Sequence, residues 1–293
     1  MSLVFAAIAP HGGLAIREAC SPDERDVALT TQEGMAELGR RFAAAKPEVV
    51  VVATPHNVHI SGAMAVIIAG RIAGELPGAP VSIALDSPVD HELAMAILQA
   101  WGERSVPSVG VSFGANDPFA AVAPMDWGVL IPLWYMGGRS TPPVPVVVIA
   151  PSRDLPADDH VLAGAVIADV AEASRRRVAF IASADHGHAH AAGGPYGLDR
   201  ASAEYDRLIC KLVGDHRLDE LADIPIDFVE QAKADSWWQL LFLHGATANG
   251  WSAELLSYEA PTYYGMLTAA YKPARRGTSS RPRKRTPRRT RAS

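Results

Sequence analysis

Residues 49–57 read VVVVATPHN. The apolar part, Val49–Ala53, is too short for a helix, rich in β-branched residues and bounded by Pro47 on one side and Thr54-Pro55 on the other. Such a run fits a strand buried on both faces of a sheet. It is followed by His56. The same pattern recurs at LVFAAIAPHGG, residues 3–13, where the run Leu3–Ala9 leads to His11, and at VAFIASADHGHAH, residues 178–190, where Val178–Ala182 leads to His186, His188 and His190.

Working outward, Val81–Leu85 and Val144–Ala150 read as two further strands. Helical spacing of apolar residues runs from Thr30 to Ala45, then through Leu93, Ile97, Leu98 and Trp101 after a start at Ser87-Pro88-Val89-Asp90. It continues through Leu162, Val166, Ile167 and Val170, through Tyr205, Leu208, Ile209 and Leu212, and through Trp238, Leu241 and Phe242. Alternating strands and helices predict a single-domain α/β fold: a central, mostly parallel or mixed sheet covered by helices on both faces. The runs alone do not set strand order.

Composition agrees with one large core. The 293 residues are 48% hydrophobic and 20% charged, with only two cysteines. Two cysteines are too few for a disulfide framework, and neither has zinc-ligand spacing. No run reaches the ~18–20 apolar residues a membrane helix needs, and the first apolar run lacks the basic flank of a signal peptide. A cytoplasmic protein without a membrane partner is the expectation. The net charge of −5 hides an asymmetry: ten of the 27 Lys and Arg lie from Lys272 onward, where there is no acid. We read 1–271 as the folded domain and 272–293 as a disordered basic tail, the one place where weak nucleic-acid binding is conceivable. There is no internal repeat, no GxGxxG or GxxxxGK[ST] phosphate loop and no G-x-S-x-G elbow.

Six of the ten histidines follow three strand runs, and in open α/β sheets ligands bind beyond the carboxyl ends of strands. Neutral imidazole is the commonest transition-metal ligand. His11 and His56 are therefore candidate metal ligands. His59 reads as a donor that bonds a ligand from behind or as a substrate contact, and His186, His188 and His190 as acid–base candidates. His91, His160, His216 and His244 fall in helices or at helix ends and read as surface or core residues. Two histidines and a carboxylate suit a non-haem Fe(II) site or a catalytic zinc. Glu230 and Asp235, before the last helix, are the carboxylate candidates, and Asp235 reads equally as a helix N-cap.

Taken in order, AIAPHGG, VVVATPHN, Pro124–Leu133, IASADHGHAH, GGPYG and AKADSWWQLLFLHGA resemble the class III extradiol ring-cleavage dioxygenases, the LigB-like superfamily of the catalytic subunit of protocatechuate 4,5-dioxygenase. The resemblance covers residues 3–251. It implies a non-haem Fe(II) enzyme that inserts dioxygen into a catechol-type ring beside the diol and opens it, with a small aromatic diol and dioxygen as partners and a homo-oligomeric assembly. It implies His11 and His56 as ligands and His188 as the acid–base, with His186 beside it. Counting back from Gly245 places the third ligand at Ser236; we take Asp235, one residue earlier, with Glu230 in reserve. Many members have histidine where this chain has Trp127, and tryptophan cannot shuttle protons. Trp127, Tyr196 and His59 are expected to contact substrate. The competing readings are a zinc- or other metal-dependent enzyme on the same scaffold, and a non-catalytic scaffold or binding member.

Overall fold

A computed structural model describes residues 3–248 and 250–274. The valine-rich runs are strands, as their composition requires. The strands are β1 (Leu3–Ala9), β2 (Val49–Ala53), β3 (Met64–Ile67), β4 (Arg71–Glu75), β5 (Ala84–Pro88), β6 (Ser108–Val111), β7 (Val122–Pro124), β8 (Val146–Ala150), β9 (Val178–Ser183), β10 (Trp251–Glu259) and β11 (Met266–Pro273). The helices are α1 (Leu29–Ala45), α2 (His91–Glu103), α3 (Trp127–Tyr135), α4 (Ala157–Ser174), α5 (Arg200–Gly214), α6 (Ile226–Gln231) and α7 (Trp237–Thr247).

Eight strands form one mixed sheet in the order β10-β11-β1-β9-β2-β8-β3-β6. Its centre, β1-β9-β2-β8, is parallel, whereas β11 and β3 run antiparallel to β1 and β8. Because side chains alternate along a strand, the two faces receive different residues. Ala6, Ile8, Val49, Val51, Phe180 and Ala182 pack against α2, α4, α5 and α7. Phe5, Ala7, Val50, Val52, Ala179 and Ile181 pack against α1, α3 and a small second sheet, β5-β4-β7. This is the expected α/β sheet covered on both faces.

Three expectations need correction. The strand expected at Val81–Leu85 lies three residues later, at Ala84–Pro88, in the small sheet. Its burial alternates, so it is a one-faced strand and not a doubly buried one. Ser87 and Pro88 therefore end a strand, and only Asp90 starts the helix: its carboxylate accepts the Leu93 N–H at 3.0 Å. At the other end, β11 continues to Pro273, two residues past the expected boundary, because Lys272 pairs with Ser252 and Pro273 with Trp251. From residue 275 onward the basic tail lies outside the described residues. Among these, no helix is long and apolar enough to cross a membrane.

Candidate metal centre

Strand order decides where the histidines go. β9 lies between β1 and β2, and all three run parallel, so the loops after them meet at one edge. His11 follows β1, His56 follows β2, and Asp185 and His188 follow β9. The segment between α6 and α7 brings in Asp235 from the side. His11 Nε2 and His56 Nε2 are 3.0 Å apart, and Asp235 Oδ2 lies 3.4 Å from the first and 3.5 Å from the second.

These three atoms fit a metal. Bonds of roughly 2.1 Å to neighbouring octahedral positions give ligand–ligand edges of about 3 Å. Two imidazole nitrogens and a carboxylate oxygen are also the donor set of a facial triad. His11, His56 and Asp235 form the one such cluster among the described residues. The other oxygen of Asp235, Oδ1, is buried without a hydrogen-bond partner, a costly arrangement unless something else satisfies it.

The surroundings fix which ring nitrogen is free. Ser183, the last residue of β9, donates its hydroxyl proton to the Gly128 carbonyl at 2.5 Å. Its oxygen lies 2.9 Å from His11 Nδ1, so Nδ1–H must be the donor, and it is Nε2, with a lone pair once the ring is neutral, that faces the cluster. Asp185 Oδ1 accepts the His11 backbone N–H at 3.0 Å, and Asp185 Oδ2 lies 3.5 Å from Nε2. Burial by itself lowers the His11 pKa, but Asp185 and Asp235 outweigh it and push it up to about 9. Burial would raise Asp235, yet His11, and to a lesser degree His56 and His188, hold it well below the usual carboxylate range. Burial pushes Asp185 up.

The His56 ring leans on Trp127, with centroids 4.7 Å apart. Trp127 opens α3, capped by Asp126, which accepts the Gly128 N–H at 2.6 Å. A Cβ on Gly128 would run into Thr54 and crowd His56, so only glycine lets this helix end abut the site.

His188 Nδ1 lies 2.6 Å from the His186 carbonyl. A carbonyl only accepts, so Nδ1 carries the proton and Nε2 is left with a lone pair. That Nε2 is 3.9 Å from Asp235 Oδ2, beside the cluster. Tyr264 stacks on the ring at 5.6 Å, and Tyr263 and Tyr196 flank it. The cleft, about 400 Å³, is lined by His56, His188, Tyr196, Asp235, Arg153 and Trp238, among others.

The other candidates are placed differently. His186 is completely buried, with both ring nitrogens unpartnered, and burial lowers its pKa; it is not in the cleft wall. His190 is instead paired with Asp206 at 2.8 Å. His59 is exposed and away from the cleft lining. Glu230 lines the cleft but is not among the three clustered donors. Ser236 bonds the Tyr205 hydroxyl at 3.0 Å and is itself the N-cap of α7, without a side-chain cap bond. Asp235 is thus not that helix's cap. Sequence reasoning missed Ser183, Asp185, Arg153, Tyr263 and Tyr264. The tyrosine pair just before Gly265 was the available signal for the hairpin that reaches the site.

The family described as the catalytic LigB subunit of aromatic ring-opening dioxygenase matches residues 5–270. Protein CA_C1420 of Clostridium acetobutylicum is 24% identical over 265 residues, 88% of this chain and 55% of that protein. The chain thus spans about half the length of the curated relative it matches. The crystal structure of the uncharacterized protein JW3007 from Escherichia coli K12 has the same fold: TM-score 0.61 at 15% identity, covering 91% of this chain and 99% of that one. With residues 5–270 matched, nearly the whole folded part, the chain belongs to the family of the catalytic LigB subunit of aromatic ring-opening dioxygenase.

Proposed function

We propose that the chain is a non-haem Fe(II)-dependent extradiol dioxygenase, which inserts dioxygen into a catechol-type ring next to the diol and opens the ring. The observation that carries this reading is the placement of a free histidine nitrogen, His188 Nε2, 3.9 Å from the carboxylate of a two-histidine, one-carboxylate cluster. His11, His56 and Asp235 would hold the ion. When bound, ferrous iron would supply open positions for a diol and dioxygen.

The chain's own residues do the rest. His188 hands its Nδ1–H to the His186 carbonyl, so Nε2 is oriented to take a proton from a diol hydroxyl and return it later. Tyr264 holds the imidazole by stacking and Tyr263 by a tilted contact. Tyr196, 56% exposed beside His188, and Trp127, 45% exposed against His56, offer aromatic walls for a flat ring. His186, buried behind this loop, supplies the carbonyl and not a proton. Two unpaired cysteines fit a reducing, cytoplasmic setting, and a homo-oligomeric assembly belongs to the same proposal.

The test is anaerobic loading with Fe(II), then oxygenation with a panel of catechols while following the yellow ring-opened product. Turnover dependent on Fe(II) is expected. Stoichiometric iron with no turnover on any diol would sink the reading. The donor set also accommodates zinc; activity with Zn(II) but not Fe(II) would favour a different metal-dependent enzyme.

A further inference from the structure

Asp185 is not among the three clustered donors, yet it is built against one of them. The end of β9 grips His11 at three points. Ser183 Oγ takes the ring Nδ1–H at 2.9 Å. Asp185 Oδ1 takes the backbone N–H at 3.0 Å. Asp185 Oδ2 then lies 3.5 Å from Nε2, the same nitrogen that Asp235 Oδ2 approaches at 3.4 Å. Two carboxylates, only 3% and 7% exposed, therefore flank one ligand nitrogen.

We propose that Asp185 is a positioning and charge-balancing residue of the metal centre, whose carboxylate, together with Asp235, sets the affinity for a divalent cation. This rests on the metal reading of the cluster, but not on any particular reaction. Charge in a buried place is the constraint. Two neutral imidazoles and one carboxylate would leave a bound dication with an uncompensated positive charge, which burial makes costly. A second carboxylate at Asp185 closes that balance. Its other oxygen meanwhile fixes the backbone that carries the ligand. Groups behind a ligand typically govern metal affinity by 10–100-fold.

Asp185 could instead serve only as a hydrogen-bond acceptor for the His11 N–H. Asp185→Asn separates the two roles, because asparagine keeps an acceptor oxygen and loses the charge. Co(II), a divalent probe, is titrated calorimetrically into the wild-type and Asp185→Asn chains, with melting followed in parallel. One ion per wild-type chain and about 10–100-fold weaker binding by the folded variant are expected. Binding within about twofold of wild type would overturn the proposal. If Asp185→Asn does not fold, Asp185→Glu and Asp185→Gln repeat the contrast of charge at similar shape, and equal affinities would overturn it. A wild-type chain that takes up no Co(II) would overturn the metal reading as well.

Discussion

Ser183 Oγ accepts the Nδ1–H of His11 at 2.9 Å while giving its own proton to the carbonyl of Gly128. This one hydroxyl sets the tautomer of the neutral His11 ring, so that Nε2 is the nitrogen whose lone pair can meet an ion. Ser183→Ala should keep the fold, since the methylene remains in the strand, but weaken metal binding about tenfold or more. It also leaves Nδ1–H and the Gly128 carbonyl unpaired, at about 1–3 kcal/mol for a buried group. Ser183→Thr restores the hydroxyl and should recover most of the affinity. Equal Co(II) affinity for the alanine and threonine variants would show that the hydroxyl does not orient the ligand.

The same imidazole gives the ion-free protein a proton to lose. Burial opposes its charge, but Asp185 and Asp235 raise its pKa to about 9, so at pH 7 it is protonated when no ion is bound. Coordination needs the neutral ring. Below pH 9, binding should therefore release about one proton per ion from His11, and apparent affinity should rise about tenfold per pH unit. The release should fade above pH 9. Calorimetric titrations in buffers of different ionisation enthalpy measure it directly. A proton count near zero at pH 7 would show that Asp185 and Asp235 do not raise the His11 pKa in the ion-free protein.

The parts of this site that were legible in the sequence are those carried by doubly buried strands. β1 and β2 have the boundaries that Leu3–Ala9 and Val49–Ala53 suggest, and His11 and His56 follow from them. Both strands are apolar throughout, so period and length agree. β4 and β5 were not read correctly because strands of the small sheet such as RIAGE and ALDSP are partly exposed and polar. β10 and β11 also escaped, and with them the hairpin that presents Tyr263 and Tyr264. Asp235 was ambiguous for a local reason: a carboxylate just before a helix is what an N-cap looks like. Only the three-dimensional approach of His11 and His56 turns it toward the cluster, and no sequence spacing encodes contacts separated by more than 170 residues.

His188 should be separable from the proposed ligands His11, His56 and Asp235. Its ring nitrogen stands beside the cluster at 3.9 Å from Asp235, and its other nitrogen is spent on the His186 carbonyl. His188→Phe keeps an aromatic ring for Tyr264 to stack on. Iron content should stay near one per chain while kcat falls about 10²–10⁴-fold, the usual span of general acid–base catalysis. Unchanged turnover would remove His188 from its proposed role, and lost iron would make it a ligand instead. His186→Phe makes a contrast, because its ring lies buried outside the cleft; any loss there should appear in thermal stability more than in kcat.

The His11–His56–Asp235 cluster also leans on a helix crossing at some distance from it. α7, which begins two residues after Asp235, meets α4 backbone to backbone. A Cβ on Gly245 would run into the Val161 carbonyl and come within 2.8 Å of Ala165 N, and a Cβ on Gly164 would run into the Phe242 carbonyl. Glycine inside a helix ordinarily costs about 0.5–1 kcal/mol relative to alanine, so alanine at either site would be stabilising if space allowed. Here the obstacle is backbone, which cannot rotate away. Overpacking of this kind costs typically about 1–3 kcal/mol and should win. Gly245→Ala should therefore lower the melting temperature by several degrees and, by shifting α7 and with it Asp235, weaken Co(II) binding. Gly102 in α2 is the control, since nothing lies within 4 Å of its added Cβ. Gly102→Ala should leave stability unchanged or slightly raised and metal affinity untouched. Should both alanine variants melt alike and bind Co(II) alike, the α4–α7 contact would have no part in holding Asp235 at the cluster.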